Sequence, residues 1–237
     1  MTKFWSMVQI YKDEAVIFDL DDLLYKEFDF MRSGFWVIAQ RVSVDDPKKV
    51  FRLMMSQYFL GNAALSWLCN DYLEGKSNHT LQSVLEIYRN HKPDISLSVE
   101  TFRFLSQLKE NGNKMGLITD GRSITQRNKI EALGLNKWIQ EFTISGELGF
   151  EKPSEKPFLY FEEKFTCQKF VYLADNYNKD FIAPNRLGWR TIALLDNGMN
   201  IHTMQENLNE LNYPKETINS FFEFEVSSHV ISAHNSY

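Results

Sequence analysis

Cysteine is scarce in this chain: two in 237 residues, Cys69 and Cys167, far apart. That excludes a disulfide framework and a CxxC metal knuckle, and both thiols are expected to be inert and buried. Long hydrophobic runs are missing too. No stretch approaches the roughly 18 apolar residues of a membrane span, and Ser6, Gln9 and Lys12 interrupt any secretory leader at the start. Positive charge is in deficit, 26 Lys+Arg against 31 Asp+Glu, for a formal charge of −5. A chain of that balance has no broad basic surface for nucleic acid or an anionic membrane. There is no P-loop, and Gly146-Glu147-Leu148-Gly149 is not a dinucleotide fingerprint. His79, His91, His202, His229 and His234 show no HExxH or i, i+4 pairing, so surface or loop positions are expected for them. These absences leave a cytoplasmic protein of the reducing compartment, with no nucleic-acid or membrane partner.

What is present is an ordinary globular composition, 43% hydrophobic and 24% charged. Four short apolar runs stand out: AVIF (15–18), MGLI (115–118), FVYLA (170–174) and TIALL (191–195). They are β-branched or aromatic and do not alternate with polar residues, which predicts strands buried on both faces, as in a parallel sheet. Between the later runs lie helical patterns, 98–110 with Ser98 as a cap and 123–133 with Ser123 as a cap and Gly134 as a stop. Alternation of strand and helix predicts an α/β fold with right-handed crossovers.

One connection is out of proportion. Residues 23–114 separate the first two runs, whereas a crossover needs about a dozen residues. Helical patterns over 27–42, 47–60, 63–73 and 80–90 predict an insert covering 26–95, ended near Pro93. The core would then comprise 1–25 and 96–237. Trp36 and Trp67 are expected to pack between insert helices. The tail beyond 197 is the least legible part, with a helix predicted near 203–211.

Each apolar run ends in acid: Asp19-Leu20-Asp21-Asp22, Thr119-Asp120-Gly121, Asp175 and Asp196. A single such ending is an ordinary cap. Four together mark the crevice outside the carboxyl ends of the strands, where open α/β sheets bind ligands. Several carboxylates in one crevice repel one another unless a cation joins them, and hard oxygen donors suit Mg²⁺ together with a substrate phosphate.

In this light, Asp19-Leu20-Asp21-Asp22-Leu23-Leu24-Tyr25 resembles the first motif, DxDx[TV], of the haloacid dehalogenase-like (HAD) hydrolase superfamily. Leu117-Ile118-Thr119-Asp120-Gly121-Arg122 resembles its second motif. Gly149-Phe150-Glu151-Lys152-Pro153 resembles the third, and Tyr172-Leu173-Ala174-Asp175-Asn176 through Asp180 the fourth. Leu23 and Ala174 depart from the pattern, standing where the family usually has Thr or Val, and Gly.

The resemblance implies a Rossmann-like parallel-sheet core with an inserted α-helical cap, and a Mg²⁺-dependent phosphatase acting on a small phosphorylated metabolite, a nucleoside monophosphate or a sugar phosphate. It implies Asp19 as the nucleophile that becomes an aspartyl-phosphate, and Asp21 as acid and then base. Thr119 and the backbone beside it at Asp120 and Gly121 would hold the phosphate, with Lys152 neutralising charge. Asp19, Asp175 and the carbonyl of Asp21 would hold the metal, and Asp180 would position Lys152 or a metal-bound water. Asp19 and Asp175 should raise the pKa of Asp21, while Mg²⁺ and Lys152 pull the other way. A phosphosugar mutase, a metal-independent dehalogenase and a non-catalytic phospho-ligand binder share this fold; Asp21 argues against the dehalogenase, which needs no acid. Lys156 also precedes a proline, but Pro157 is expected at the first position of a helix, which leaves Lys156 at its cap and Lys152 nearer the strand ends.

Overall fold

The computed structural model describes residues 7–43, 45–74, 78–167, 169–202 and 204–230. The chain opens with β1 (Val8–Tyr11) and β2 (Glu14–Phe18). The helices α1 (Glu27–Val42), α2 (Pro47–Phe59) and α3 (Ala64–Trp67) follow, α3 running on as a π-helical turn over Leu68–Tyr72, and then α4 (Leu81–Asn90). Next come α5 (Val99–Asn111), β3 (Met115–Thr119), α6 (Ser123–Ala132), β4 (Glu141–Ile144) and the short α7 (Ser145–Leu148). After α8 (Lys156–Lys164), β5 (Lys169–Ala174), α9 (Ile182–Arg186) and β6 (Arg190–Leu194), the strands β7 (Glu216–Ile218) and β8 (Phe224–Ser227) close the described chain.

Six strands form one parallel sheet in the order β4-β3-β2-β5-β6-β7, and β1 pairs with β8 in a separate two-stranded sheet. All five residues of β2 and of β3 are buried, because successive side chains enter two different cores. Val16 and Phe18 join Phe104, Leu105 and Leu108 of α5; Ala15 and Ile17 join Phe158 and Phe161 of α8. Strands covered on both faces have no polar side to alternate with, which is why their sequences read as unbroken apolar runs.

The helices between β2 and β3 carry a core of their own. On α1 the buried positions Met31, Phe35, Ile38 and Ala39 follow the i, i+4, i+7 spacing of one helix face, and they pack with Val50, Met54, Leu68 and Val84. Side-chain caps begin the helices where the sequence supplies them. Asp46 accepts from Lys49 N at 2.9 Å, Thr80 and Ser83 form a capping box, and Ser98 accepts from Thr101 N at 3.1 Å. Trp36 meets Phe51 edge-on at 5.7 Å, and Trp67 lies 5.8 Å from Tyr72.

Several local expectations are corrected. Ser123 is the first residue of α6, not its cap; its hydroxyl donates to Glu147 Oε1 at 2.5 Å instead. Residues 204–209 are not helical, and only a 3₁₀ turn forms, over Glu210–Asn212. The asparagines there bond the backbone in other ways: Asn209 caps the turn, and Asn212 donates to Tyr177 O at 2.8 Å. The helix α8 begins at Lys156, one residue earlier than expected, so Pro157 occupies its second position. His91 lies in the loop after α4, as expected, and is buried there, its ring 4.7 Å from that of Phe30. His234 lies outside the described residues. Both cysteines are free and half-buried.

Gly116 lies where β3 meets α8. A Cβ built there would sit 2.2 Å from Phe161 Cε1 and 2.8 Å from Ile17 Cδ1, both in the fully buried core. Gly116→Ala should therefore destabilise the fold by about 1–3 kcal/mol. Urea unfolding measures this, and a change within error would mean that the α8–sheet contact is looser than described.

Candidate active site

The strand order creates the site. From β2 the chain passes to β3 and β4 on one side and returns to β5 on the other, so β2 sits at the point where the order reverses. Asp19 follows β2 immediately, and its N–H donates to Leu173 O of β5 at 2.9 Å. Thr119 ends β3, and Asp175 follows β5. Together with Lys152 these residues line a cleft of about 100 Å³ at the carboxyl edge of the sheet.

Lys152 is the centre of the cleft's electrostatics. Its side chain is 1% exposed, with Nζ 2.8 Å from Asp19 Oδ1 and 2.9 Å from Asp180 Oδ1, and it also donates to Tyr172 OH at 3.3 Å. Burial favours the neutral amine, but the charges of Asp180 and Asp19 outweigh it and hold the ammonium well above its ordinary range. Lys156, by contrast, is exposed and lies 3.6 Å above the ring of Phe150.

Oxygen atoms of Asp19, Asp175 and Asp180 lie within 4.8 Å of one another. Burial first, then neighbouring carboxylates, push Asp19 up to about 7 and Asp175 up to about 9, with Lys152 pulling both down. Asp180 is fully buried, and its Oδ1 has no hydrogen-bond donor with good geometry, only the ion pair. Hard carboxylate oxygens, one of them short of a donor and two resisting ionisation, form a donor set that fits a divalent cation such as Mg²⁺.

Asp21 stands apart from that trio. It is held by Lys129 Nζ at 2.7 Å, by Gln126 Nε2 at 3.0 Å and by the hydroxyl of Tyr25. Burial alone would raise its pKa; the ammonium of Lys129 and the three hydrogen bonds reverse that and lower it. This corrects the expected rise, which took no account of Lys129. Gln126 also donates to Thr119 Oγ1 at 2.6 Å. The carboxylate of Asp120, which also lines the cleft, accepts from Lys152 N at 3.1 Å and Lys179 Nζ at 2.6 Å. The N–H of Gly121 donates to Ser145 Oγ at 2.9 Å, and its carbonyl passes so near Gly146 that a Cβ there would lie 2.6 Å from the oxygen.

Asp196 does not reach the carboxylate trio. Its Oδ1 accepts from the N–H groups of Gly198, Met199 and Asn200, shaping the loop after β6. Through that loop Asn200 donates to Asp175 Oδ2 at 2.8 Å, and Ile201 N donates to Asp22 Oδ2 at 2.9 Å. Asp22 adopts a left-handed φ of 56° and also accepts from Glu27 N at 2.9 Å. Leu23 faces the main core and is 3% exposed. It supports the loop by packing where a hydroxyl would do so by hydrogen bonding.

Lys129, Gln126, Glu27 and Asn200 lie outside the four motifs, and Tyr25 and Lys179 lie within them with no role implied. A signal for two of them exists in α6, whose buried face consists of Gln126, Lys129 and Ile130. A lysine three residues from a glutamine on an inward helix face implies an acidic partner inside.

The profile of the family described as Haloacid dehalogenase-like hydrolase matches residues 16–194. The chain belongs to that family. It is 25% identical over 228 residues to a glyceraldehyde 3-phosphate phosphatase of Methanocaldococcus jannaschii, covering 89% of this chain and 94% of that one. It is 35% identical to the glyceraldehyde 3-phosphate phosphatase of Methanopyrus kandleri over 92 residues, 38% of this chain and 40% of the relative. The magnesium-bound crystal structure of the HAD hydrolase YfnB from Bacillus subtilis superposes with a TM-score of 0.59 at 15% identity, covering 89% of this chain and 96% of that one. The protein is a HAD-like hydrolase with a six-stranded parallel sheet and a helical insert between β2 and β3. Among the described residues, no helix is long and apolar enough to cross a membrane.

The raised pKa values of Asp19 and Asp175 set the pH dependence of stability. Both hold protons in the fold up to about 7 and about 9, whereas an unfolded Asp releases its proton near 4. Between those limits the folded state binds more protons, so stability falls as pH rises. In chelator, Tm should decline between about pH 6 and about pH 9, and Asp175→Asn should flatten the decline. A Tm in chelator that is level or rising across that window contradicts the carboxylate crowding.

Proposed function

We propose that the protein is a Mg²⁺-dependent phosphomonoesterase that acts on small sugar phosphates through an aspartyl-phosphate on Asp19. The observation that carries this reading is Lys152, buried between Asp19 and Asp180 with Asp175 alongside. Phosphate monoesters hydrolyse so slowly that acceleration can reach about 10²¹-fold, and covalent capture divides the task into two displacements. Lys152 neutralises Asp19 and the phosphate oxygens as they approach each other. Asp19, Asp175 and the backbone carbonyl of Asp21 would hold the metal, with Asp180 beside them. Bound there, Mg²⁺ offsets the negative charge of the carboxylates and of the phosphate oxygens.

In the first displacement Asp19 attacks phosphorus, the bond to the leaving oxygen breaks, and that oxygen takes a proton from Asp21. In the second, ionised Asp21 takes a proton from water as the water oxygen attacks phosphorus, and Asp19 leaves as a carboxylate. Lys129 keeps Asp21 ionised in the free protein, which suits the second step. A dianionic phosphate beside it raises its proton affinity, which serves the first. Thr119, oriented by Gln126, is available to the phosphate oxygens with the N–H groups of the following loop. The helical insert is read as a cap over the strand ends, excluding bulk water during transfer. The archaeal relative that matches along nearly its whole length, and the small volume of the cleft, favour a triose phosphate such as glyceraldehyde 3-phosphate over larger esters.

Asp19→Asn should abolish phosphate release from glyceraldehyde 3-phosphate while its circular dichroism stays that of the wild type; residual kcat above about a tenth would sink the nucleophile. EDTA should remove activity and Mg²⁺ restore it, with Ca²⁺ a poor substitute because its looser coordination shell misplaces the nucleophile. Lys152→Ala should lose most of kcat and Lys156→Ala less than about threefold. The reverse pattern in steady-state kinetics would place the third motif four residues later.

A further inference from the structure

Six of the side chains lining the cleft are carboxylates, against two lysines. Both lysines are committed: Lys152 to Asp19 and Asp180, and Lys179 to Asp120 at 2.6 Å. The ammonium just behind the cleft wall, that of Lys129, is held by Asp21 and lies 4.4 Å over the ring of Phe30. Lys26 faces the neighbouring groove and donates to Asn200 Oδ1 at 2.6 Å. No arginine is among the described residues lining the cleft, and the imidazole at its mouth, His202, is exposed.

Glu27 is the one described lining residue supplied by the helical insert. Its backbone N–H is fixed by Asp22 Oδ1, and its carboxyl lies 3.9 Å from Lys129, on the Asp21 side of the cleft where a leaving oxygen must be protonated. Burial, then the charge of Asp21, push this carboxyl up to about 7, with Lys129 opposing. Burial is the larger cause, but the carboxylates of Asp21, Asp22 and Asp19 add a negative field around Glu27, and a second anion there would be repelled.

We infer that Glu27 selects monophosphates with a neutral, hydroxylated leaving group and rejects phosphorylated carboxylic acids and bisphosphates. This rests on the phosphatase reading and deepens it. The Lys152 side accommodates one phosphate; among the described residues, the opposite side offers a further anion a carboxyl and no uncommitted cation. A hydroxyl or hydrated aldehyde, in contrast, can donate to or accept from Glu27 in either of its protonation states. Discrimination comes from the repelled competitor as much as from the accepted substrate.

The test compares glyceraldehyde 3-phosphate with 3-phosphoglycerate, which differ at the far carbon as aldehyde against carboxylate. Both compounds are assayed side by side with Mg²⁺ present. Wild-type kcat/KM should favour the neutral substrate by about 30-fold or more, with the penalty mainly in KM. Glu27→Gln, nearly isosteric, should shrink that ratio by about fivefold or more, and Glu27→Lys further still. Equal or faster turnover of 3-phosphoglycerate by the wild type overturns the inference and leaves the phosphatase reading standing. So does a ratio unmoved in a folded Glu27→Gln enzyme. Hydrolysis of neither compound, nor of any member of a phosphomonoester panel, overturns both.

Discussion

The ammonium of Lys152, buried between Asp19 and Asp180, allows the carboxyl edge of this sheet to exist. Without it, three carboxylates within 4.8 Å of one another would hold their protons still more tightly or move apart, because desolvation and mutual repulsion both act against their ionisation. The lysine can sit there only because Asp120 accepts its backbone N–H while Tyr172 meets its Nζ from β5. The first, second and fourth motifs are thus tied to the third through one residue, the second by its backbone and the other two by its side chain. Where a lone cation leaves charge uncompensated, the remaining carboxylate oxygens form a donor set that fits a divalent metal.

A second ion pair, Lys129 with Asp21, divides the acids by task. Asp19 and Asp175 are raised and Asp21 is lowered, although all belong to one cleft and two of them are separated by a single residue. The difference lies in which element each faces. Asp21 points toward α6 and its lysine, whereas Asp19 points toward Lys152 and the acids of the β5 loop. Opposed environments for neighbouring acids are how a site obtains different proton affinities from one residue type.

The helical insert and the loop after β6 meet at Asp22, whose two oxygens accept from Glu27 N and Ile201 N. That junction fixes the first turn of α1 and therefore Glu27, the one insert side chain that lines the cleft among the described residues. Lys26, Asn200 and Asp175 form a chain of hydrogen bonds through the same place. Insert position and carboxylate position are therefore coupled by short, part-buried contacts rather than by distance.

Local pattern was enough to reveal the parallel core, the helical insert and the acids that end its strands. Strands buried on both faces must be apolar throughout, so Asp19, Thr119 and Asp175 could be read in order at their ends, whereas Lys152 came only from the resemblance of its Lys-Pro to a family motif. The edge strands β1, β7 and β8 were not legible. They are three or four residues long, half-exposed, and defined by partners distant in the chain, as in the pairing of Val8 with Phe224. Nor could sequence order show that Asp196 shapes a loop while Asp180 joins the acids, or that Lys129 reaches Asp21 across 108 positions. Those outcomes depend on which helix face packs toward which strand end. Only burial, which forces every enclosed charge to find a partner, decides them.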